Sequence, residues 1–325
     1  MIRHTGLTQS LLLLLFVLCL MTLMLASLFI GTYDLTLASV FENEQASIVM
    51  LLSRVPRTLA VVIAGGVLGL IGGLSQVVLN NRFAEPTTIG TAQGVAIGLL
   101  GTHILWPESP LYVHTLVASG FGLLSLFGFF SIIRQLKLND PMLLPLIGLI
   151  YSAILGAIAT FIAFEFDLMQ FLMVWLNGDF STVISGRYEL IWGAAAIAVL
   201  VYWLANQLNL LNLGEQTGRA LGVPFRTLVF IAMIMIALST SMVVATVGMI
   251  SFLGLVVPNI VRYYLGDNLK QSLPWSALIG AFLLLGCDML GRYLSNPFEL
   301  PASLVFGVLG GCFFIWVLYK GEPNV

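Results

Sequence analysis

Asp288 and Arg292 are the charged residues whose position most needs a chemical explanation. Both follow the apolar stretch 271–287, and the acid precedes the base by four residues. On a helix, side chains at this spacing share one face and can form an ion pair. An ionisable residue inside a membrane helix can also act as a proton relay. We interpret Asp288 and Arg292 as a structural pair, with a proton relay as the alternative.

Other side chains that could carry chemistry are few and scattered. The three cysteines lie in apolar runs without the C-x-x-C spacing of a zinc site, and the three histidines form no i, i+4 ligand pair. The sequence lacks a G-x-x-x-x-G-K-S/T loop for nucleotide phosphates, and it lacks a Ser/His/Asp or Cys/His set for catalysis. We therefore predict no catalytic residue, metal site or nucleotide hydrolysis in this chain. Energy for any uphill movement must then enter from another subunit.

The composition is typical of helical membrane proteins. Of 325 residues, 59% are hydrophobic and 9% are charged, and the mean hydropathy is +1.03. The net charge is -2 and the basic residues form no stripe, which argues against nucleic acid as a partner. These values predict one transmembrane domain, residues 1–325, surrounded by membrane lipid.

Nine stretches lack Asp, Glu, Lys and Arg over a length close to or above the roughly 20 apolar residues of a membrane-crossing helix. The stretch 227–261 holds 35 residues, more than one helix requires, and Gly248 and Pro258 interrupt its pattern. We predict one full helix and one shorter or re-entrant helix there, hence an all-α fold with about ten crossings. The nine stretches are 5–33, 58–81, 86–107, 109–133, 141–164, 190–214, 227–261, 271–287 and 300–319.

Lysine and arginine are distributed unequally between the two sets of connecting loops. Ten crossings place both termini on one side, and basic residues collect on the cytoplasmic side of membrane proteins. A cytoplasmic N-terminus puts nine basic residues inside and four outside, so we predict that both termini are cytoplasmic. The inner set is Arg3, Arg82, Arg134, Lys137, Arg219, Arg226, Arg262, Lys270 and Lys320, and the outer set is Arg54, Arg57, Arg187 and Arg292.

Two segments between the predicted spans suggest short helices outside the bilayer. The cytoplasmic loop at about 206–226 is polar and ends in glycine and proline, so it predicts a short helix that another subunit could push. The acidic segment at about 164–190 is long enough for a short helix at the outer interface.

Small residues recur every four positions in the second and fifth predicted spans. This spacing lets helix backbones approach closely in a membrane. We interpret the stripe in the second span, Gly65, Gly69 and Gly73, as intrachain packing. For the fifth span the choice stays open between intrachain packing and a surface facing a partner subunit or a transport path. The stripe in the fifth span is Gly148, Ser152, Gly156 and Thr160.

Several segments resemble the FecCD family, the membrane permeases of ABC importers for ferric siderophores, haem and vitamin B12. Each is short, but their common order from Arg54 to the C-terminus makes the set specific. They are Arg54–Ala60, Asn81–Thr88, Leu213–Val223, Val247–Asn259, Cys287–Arg292 and Glu299–Pro301. Segments similar to the branch for catechol-type ferric siderophores, such as vibriobactin, anguibactin or petrobactin, are Trp175–Phe180, Gly186–Glu189 and Gly266–Lys270.

The resemblance implies a type II ABC importer permease fold of ten helices, with two permeases side by side and a path at their interface. It also implies two ATPase subunits inside, which bind ATP and Mg, and a substrate-binding protein outside. In this branch the second permease is usually a different chain, so a heterodimer is expected. Iron would arrive as a chelate, this chain would hold no cofactor, and the complex would lie in a bacterial inner membrane.

The resemblance also assigns roles to residues at both ends of the spans. The segment matching the coupling helix, which contacts the ATPase, contains Glu215, Arg219, Leu221 and Gly222, with Gly218 in place of a common alanine. The arginines matching those that meet acidic residues of the binding protein are Arg54, Arg57 and Arg292. The alternative for these arginines is a set of interfacial anchors.

The inner gate of the family matches Asn81 and Phe83, although the usual Asn-Pro-Leu-Ala reads Asn-Arg-Phe-Ala here. The alternative is a plain turn after the second span. We expect the polar members of the fifth-span stripe, together with Gly156, to help line the path: Ser152, Gly156 and Thr160. Sparse charge predicts a path without a buried cationic pocket, so substrate choice would rest with the external binding protein.

The sequence therefore predicts a permease subunit of an ATP-driven importer that moves a ferric siderophore complex by alternating access. Haem or cobalamin is the alternative cargo within the same family. An ion-coupled secondary transporter is the alternative from another class, and it would need an intramembrane ion site that the sparse charge does not supply. No enzymatic activity is expected in this chain.

Overall fold

The computed structural model describes residues 6–31, 36–136, 143–294 and 298–320, and helices dominate these ranges. Both chain termini lie outside the described residues. So do Arg3 and Lys137, two of the basic residues from which the orientation was predicted. A π-helical turn at Met50–Arg54 leads into α4, and a 3₁₀ turn at Asn209–Leu213 leads into α11. The helices are α1 (Gly6–Phe29), α2 (Leu37–Glu42), α3 (Glu44–Val49), α4 (Val55–Val78), α5 (Thr91–Leu105), α6 (Leu111–Gln135), α7 (Leu143–Glu165), α8 (Met169–Leu176), α9 (Ile191–Trp203), α10 (Ala205–Leu208), α11 (Gly214–Ala220), α12 (Phe225–Val247), α13 (Leu253–Leu265), α14 (Leu269–Leu294) and α15 (Ala302–Lys320).

Six helical segments within the described ranges are long and apolar enough to cross a membrane, and four shorter apolar helices accompany them. Helix α9, one of these four, passes the same test only together with residues 205–220, from which a bend of 64° separates it. Three shorter apolar helices complete the set: α5, α13 and the 302–313 part of α15. The predicted all-helical architecture of about ten crossings agrees with this arrangement.

The long stretch 227–261 divides into α12 and α13, as its length predicted. The break covers residues 248–252, where Gly248 has φ +81° and Phe252 has φ +69°. The prediction that Pro258 also marks the break is wrong, because Pro258 lies inside α13. Proline lacks an N–H group, so the carbonyl of Gly254 four residues earlier has no helical partner. This carbonyl instead packs closely against Gly72 of α4.

Helices α4 and α14 run antiparallel in close contact at the centre of the molecule. A Cβ added at Gly65 would lie 2.6 Å from the carbonyl oxygen of Gly280, and one added at Gly69 would lie 2.5 Å from that of Ser276. Only glycine permits such an approach between backbones. The stripe in the second span therefore mediates intrachain packing, as predicted.

The antiparallel pair separates two ends of the molecule. Arg57 near the start of α4 contacts Asp288 near the end of α14. At the opposite end, the loop after α4 meets α13, and the residues that follow α13 meet the 3₁₀ turn before α11. At 1.5 Å per residue, the 24 residues of α4 span about 36 Å between these ends. The predicted outer arginines and the predicted cytoplasmic loop thus lie at opposite ends.

The two predicted short helices outside the spans are both present. Helix α8 lies within the segment 164–190, and α11 lies within the loop 206–226. The polar loop 206–226 therefore does not run directly into α12, because it forms α11 first.

Candidate functional site

Five charged residues meet at one end of the molecule, and we call them the outer arginine cluster: Arg54, Arg57, Asp288, Arg292 and Glu299. Asp288 binds two arginines, with Arg57 Nη2 2.8 Å from its Oδ1 and Arg292 Nη2 2.7 Å from its Oδ2. Arg57 also pairs with Glu299. The predicted pairing of Asp288 with Arg292 is therefore confirmed, and Asp288 holds a second arginine that the sequence spacing did not reveal.

The same arginines satisfy the C-terminal end of α1. Arg292 Nη1 donates to the carbonyl oxygens of Ser27 and Ile30 at 3.0 and 2.7 Å, and its Nη2 donates to the Ser27 hydroxyl at 2.6 Å. Arg54 also donates to the Ile30 carbonyl. The last carbonyls of a helix lack partners within it, and cations there interact favourably with the helix dipole. The cluster thus joins α1, α4 and α14.

The arginines of the outer arginine cluster are buried, although the prediction places them where an external binding protein docks. Arg54, Arg57 and Arg292 are 6%, 6% and 3% exposed, whereas an arginine that awaits a partner in water would be largely exposed. The prediction of a path without a buried cationic pocket stays a prediction, because these contacts join the arginines to α1 and to acids of α14 and of the segment before α15. Glu299 is the more accessible acid, with a side chain 21% exposed against 1% for Asp288. Among the described residues, the three arginines and two acids of the cluster carry an excess of one positive charge.

Helix α11 carries the residues predicted to couple to an ATPase. Glu215 and Arg219 form an ion pair on its surface, with both side chains about half exposed. Leu221 is 66% exposed, whereas Gly218 faces inward, where an added Cβ would lie 3.3 Å from a ring carbon of Phe225. The helix therefore presents the predicted residues on its free side.

The end of α11 has the hydrogen bonds of a Schellman motif. The N–H of Val223 donates to the Gly218 carbonyl at 3.0 Å, and the N–H of Gly222 donates to the Arg219 carbonyl at 3.0 Å. This motif needs a residue in the left-handed region at the position of Gly222, whose φ is +75°. The sequence match at Gly222 thus has a local conformational reason, since glycine adopts this φ without strain.

The segment 79–90, which we call the inner loop, contains the predicted gate residues. Asn81 is 7% exposed, and its side-chain oxygen accepts a hydrogen bond of 2.8 Å from the N–H of Phe83. This contact closes a turn of the kind that asparagine favours. The turn therefore forms without the proline of the family pattern, and Phe83 lies half-buried beside it. Its role as a gate remains a prediction.

Glu85 of the inner loop is a buried acid that the sequence analysis did not single out. It is 2% exposed, and its carboxylate accepts hydrogen bonds from the N–H groups of Phe252 at 3.1 Å and Gly254 at 3.2 Å. Burial raises the pKa of the Glu85 carboxyl to about 7, whereas these N–H groups act in the opposite direction. The sequence signal for a role of Glu85 was its position between two apolar stretches. The sequence could not identify its hydrogen-bond donors, because they lie about 170 residues away in the chain.

The stripe on α7 divides between packing and exposure. Gly148 lies against the Thr88 carbonyl, and the Ser152 hydroxyl donates to that carbonyl at 2.8 Å. Gly156 lies beside Gln93 of α5, while Thr160 is exposed and bonds only within its own helix among the contacts described. Gly148 and Ser152 thus hold the inner loop within this chain. Of the four stripe residues, Thr160 is the one whose exposure leaves it accessible to a partner subunit or a path.

Comparisons with known proteins agree with this geometry. The model of the FecCD transport family matches residues 17–320. The petrobactin import system permease protein YclN of Bacillus subtilis (strain 168) is 39% identical over 302 residues, 93% of this chain and 96% of that protein. The ferric-anguibactin transport system permease protein FatD of Vibrio anguillarum (strain ATCC 68554 / 775) is 34% identical over 307 residues, 94% of this chain and 98% of that protein.

A solved structure shares the fold over nearly the whole chain. It is an inward-facing conformation of a transporter assigned to the metal-chelate ABC type, with a TM-score of 0.78 and 27% sequence identity. The match covers 96% of this chain and 100% of that chain. The fold is that of ABC importer permeases. The residues matched by the family model include the outer arginine cluster, α11 and the inner loop. This multi-pass membrane protein belongs to the FecCD transport family.

Proposed function

We propose that this chain is the permease subunit of an ATP-driven importer that moves a ferric siderophore complex across a bacterial inner membrane. The observation that carries the proposal is similarity over more than nine-tenths of the chain to two permeases named for siderophore import. The exposed helix α11 is consistent with an energy source outside the chain. A petrobactin-like or anguibactin-like chelate is the favoured cargo.

In this proposal the transporter contains two permeases, two ATPases and one external binding protein. The second permease is a different chain, because the branch that the sequence resembles usually pairs two distinct permeases. ATP and Mg bind to the ATPases, and iron passes as a chelate, so this chain needs no cofactor. Its own residues receive force at α11, position the inner loop and meet the binding protein at the outer arginine cluster.

The role of α11 follows from its exposed charges and its short connections. Nucleotide binding draws the ATPases together, and α11 carries that movement into the permease. The inner loop then opens or closes the exit from the path between the two permeases. Weak contacts along such a path allow a bulky, often anionic chelate to leave, because conduction requires binding that is not too strong.

We expect uptake to depend on the ATPase and not on an ion gradient. In vesicles containing both permeases and the ATPases, replacing the phosphate-loop lysine of the ATPase should abolish accumulation of the iron-loaded chelate. The same vesicles with intact ATPase and an imposed proton or sodium gradient, but without ATP, should also show none. Accumulation driven by the gradient alone would contradict the proposal and favour a secondary transporter.

We expect Glu299 to compete with the acidic residues of the binding protein for Arg57, and thereby to weaken docking. Arg57 is already engaged by Glu299, so a carboxylate from the binding protein must displace or share that contact. The variant Glu299→Gln removes the competing charge and should tighten docking by about twofold to fivefold, the scale of a partly exposed ion pair. The affinity should be measured in lipid nanodiscs by interferometry at low and high salt.

Glu165→Gln provides the control for Glu299→Gln, since Glu165 is an exposed acid on the predicted outer side and forms no ion pair among the described residues. This control should leave docking unchanged. Docking should also weaken as salt rises. Equal effects of the two variants, or weaker docking by Glu299→Gln, would contradict competition for Arg57.

A further inference from the structure

Helix α13 holds the inner loop at two separate points. Near its middle, the side-chain amide of Asn259 donates to the carbonyl oxygen of Arg82 at 3.0 Å. At its N-terminal end, the N–H groups of Phe252 and Gly254 donate to the buried carboxylate of Glu85. The N-terminal amides of a helix lack internal partners and carry partial positive charge, so a carboxylate is a favourable ligand there.

The other end of α13 is tied to the segment that precedes α11. Arg262 pairs with Asp267 through a contact of 2.8 Å. The Asn212 side-chain amide donates to the Asp267 carbonyl at 3.1 Å, and the N–H of Leu269 donates to the Asn209 side chain at 3.1 Å. Asn209 and Asn212 belong to the 3₁₀ turn directly before α11. A displacement of α11 therefore reaches the C-terminal end of α13 through a few hydrogen bonds.

Helix α13 is also closely packed against α4, from which the inner loop emerges. A Cβ added at Gly72 would lie 2.1 Å from the carbonyl oxygen of Gly254 and 2.4 Å from its Cα. Two backbones in such contact have little freedom to slide independently, since packed interiors resist small shifts. By contrast, the irregular residues 248–252 separate α13 from α12. The geometry therefore favours movement of α13 together with α4 and the inner loop.

We propose that α13 is the mechanical link between α11 and the inner loop, and that Glu85 and Asn259 are the positioning residues that fasten the loop to it. The link rests on the proposed function for its driving force, because an ATPase must move α11. The fastening itself is a property of this chain alone. Phe83 lies between the two attachment points, so removing either one weakens the hold of α13 on the loop that carries the predicted gate residue.

The fastening can be tested on the full chain in lipid nanodiscs by amide hydrogen exchange. The variants Glu85→Gln and Asn259→Ala should each speed exchange in peptides covering 79–90 by on the order of tenfold, the loss expected for a hydrogen bond to a charged or buried group. Exchange in α12 should stay as in the parent chain. Asn177→Ala is the matched control, because its amide also bonds a backbone carbonyl, Met173, but lies away from the inner loop.

The link can be tested in the complete transporter by the ratio of chelate uptake to ATP hydrolysed. Glu85→Gln, Asn259→Ala and Asn212→Ala should each lower this ratio severalfold while ATP hydrolysis continues. Asn212→Ala should do so without speeding exchange in the inner loop, because it breaks only the contact beside α11. Unchanged exchange in both loop variants would overturn the fastening, and unchanged ratios in all three would overturn the link. Failure of the proposed function itself would appear differently, as absence of ATP-driven uptake by the parent transporter.

Discussion

Replacing Asp288 with alanine is expected to destabilise the permease by about 3 to 5 kcal/mol, the cost of leaving buried charges without their partner. Asp288 is 1% exposed and is the acid shared by Arg57 and Arg292. Its removal leaves the three buried arginines of the cluster with Glu299 as the one remaining acid among the described members. Part of the cost arises in α1, since Arg292 also holds the Ser27 and Ile30 carbonyls.

The measurement is thermal unfolding of the purified chain in one detergent, followed by near-ultraviolet circular dichroism. Asp267→Ala is the matched control, because Asp267 also pairs with an arginine but its side chain is 63% exposed. That control should cost less than about 1 kcal/mol, as exposed ion pairs generally do. Equal stability of Asp288→Ala and the parent chain would contradict a stabilising role for the outer arginine cluster.

Charge reversal at Arg219 is expected to separate ATP hydrolysis from uptake. The side chain is half exposed on α11, so Arg219→Glu should leave the fold intact, although it places two like charges four residues apart with Glu215. Reversing a charge at an interface costs about 2 kcal/mol or more, so uptake per ATP should fall by more than about tenfold. Chelate uptake and phosphate release should be measured together in vesicles containing the complete transporter.

A double variant distinguishes contact with the ATPase from stability of α11. Glu215→Arg combined with Arg219→Glu restores an ion pair within the helix but reverses the charges presented to a partner. We expect it to remain uncoupled. A bulky residue at Gly222 should also uncouple, because the φ of +75° is strained for other residues and the added side chain lies next to Leu221. Normal uptake by the double variant would show that only the intrahelical pair matters.

Local patterns in the sequence predicted most of the helical architecture. Apolar length identified the spans, and glycine at positions 65, 69 and 73 indicated the close packing that α4 makes with its neighbours. The division of 227–261 followed from its length and from Gly248, which lies at the break. Pro258 was misread because a proline is compatible with a helix when the carbonyl it leaves unpaired finds other surroundings, and those surroundings are supplied by Gly72.

The sequence by itself determined that this is a helical membrane protein with a short polar helix in one loop, because these features depend on residues near one another in the chain. Only the tertiary structure decided that Arg57 shares Asp288 with Arg292 and that Glu85 receives hydrogen bonds from the N-terminus of α13. Arg57 is separated from Asp288, and Glu85 from its two donors, by more than 160 residues. Burial of a charge depends on which distant backbone or side chain meets it, and no local pattern encodes that meeting.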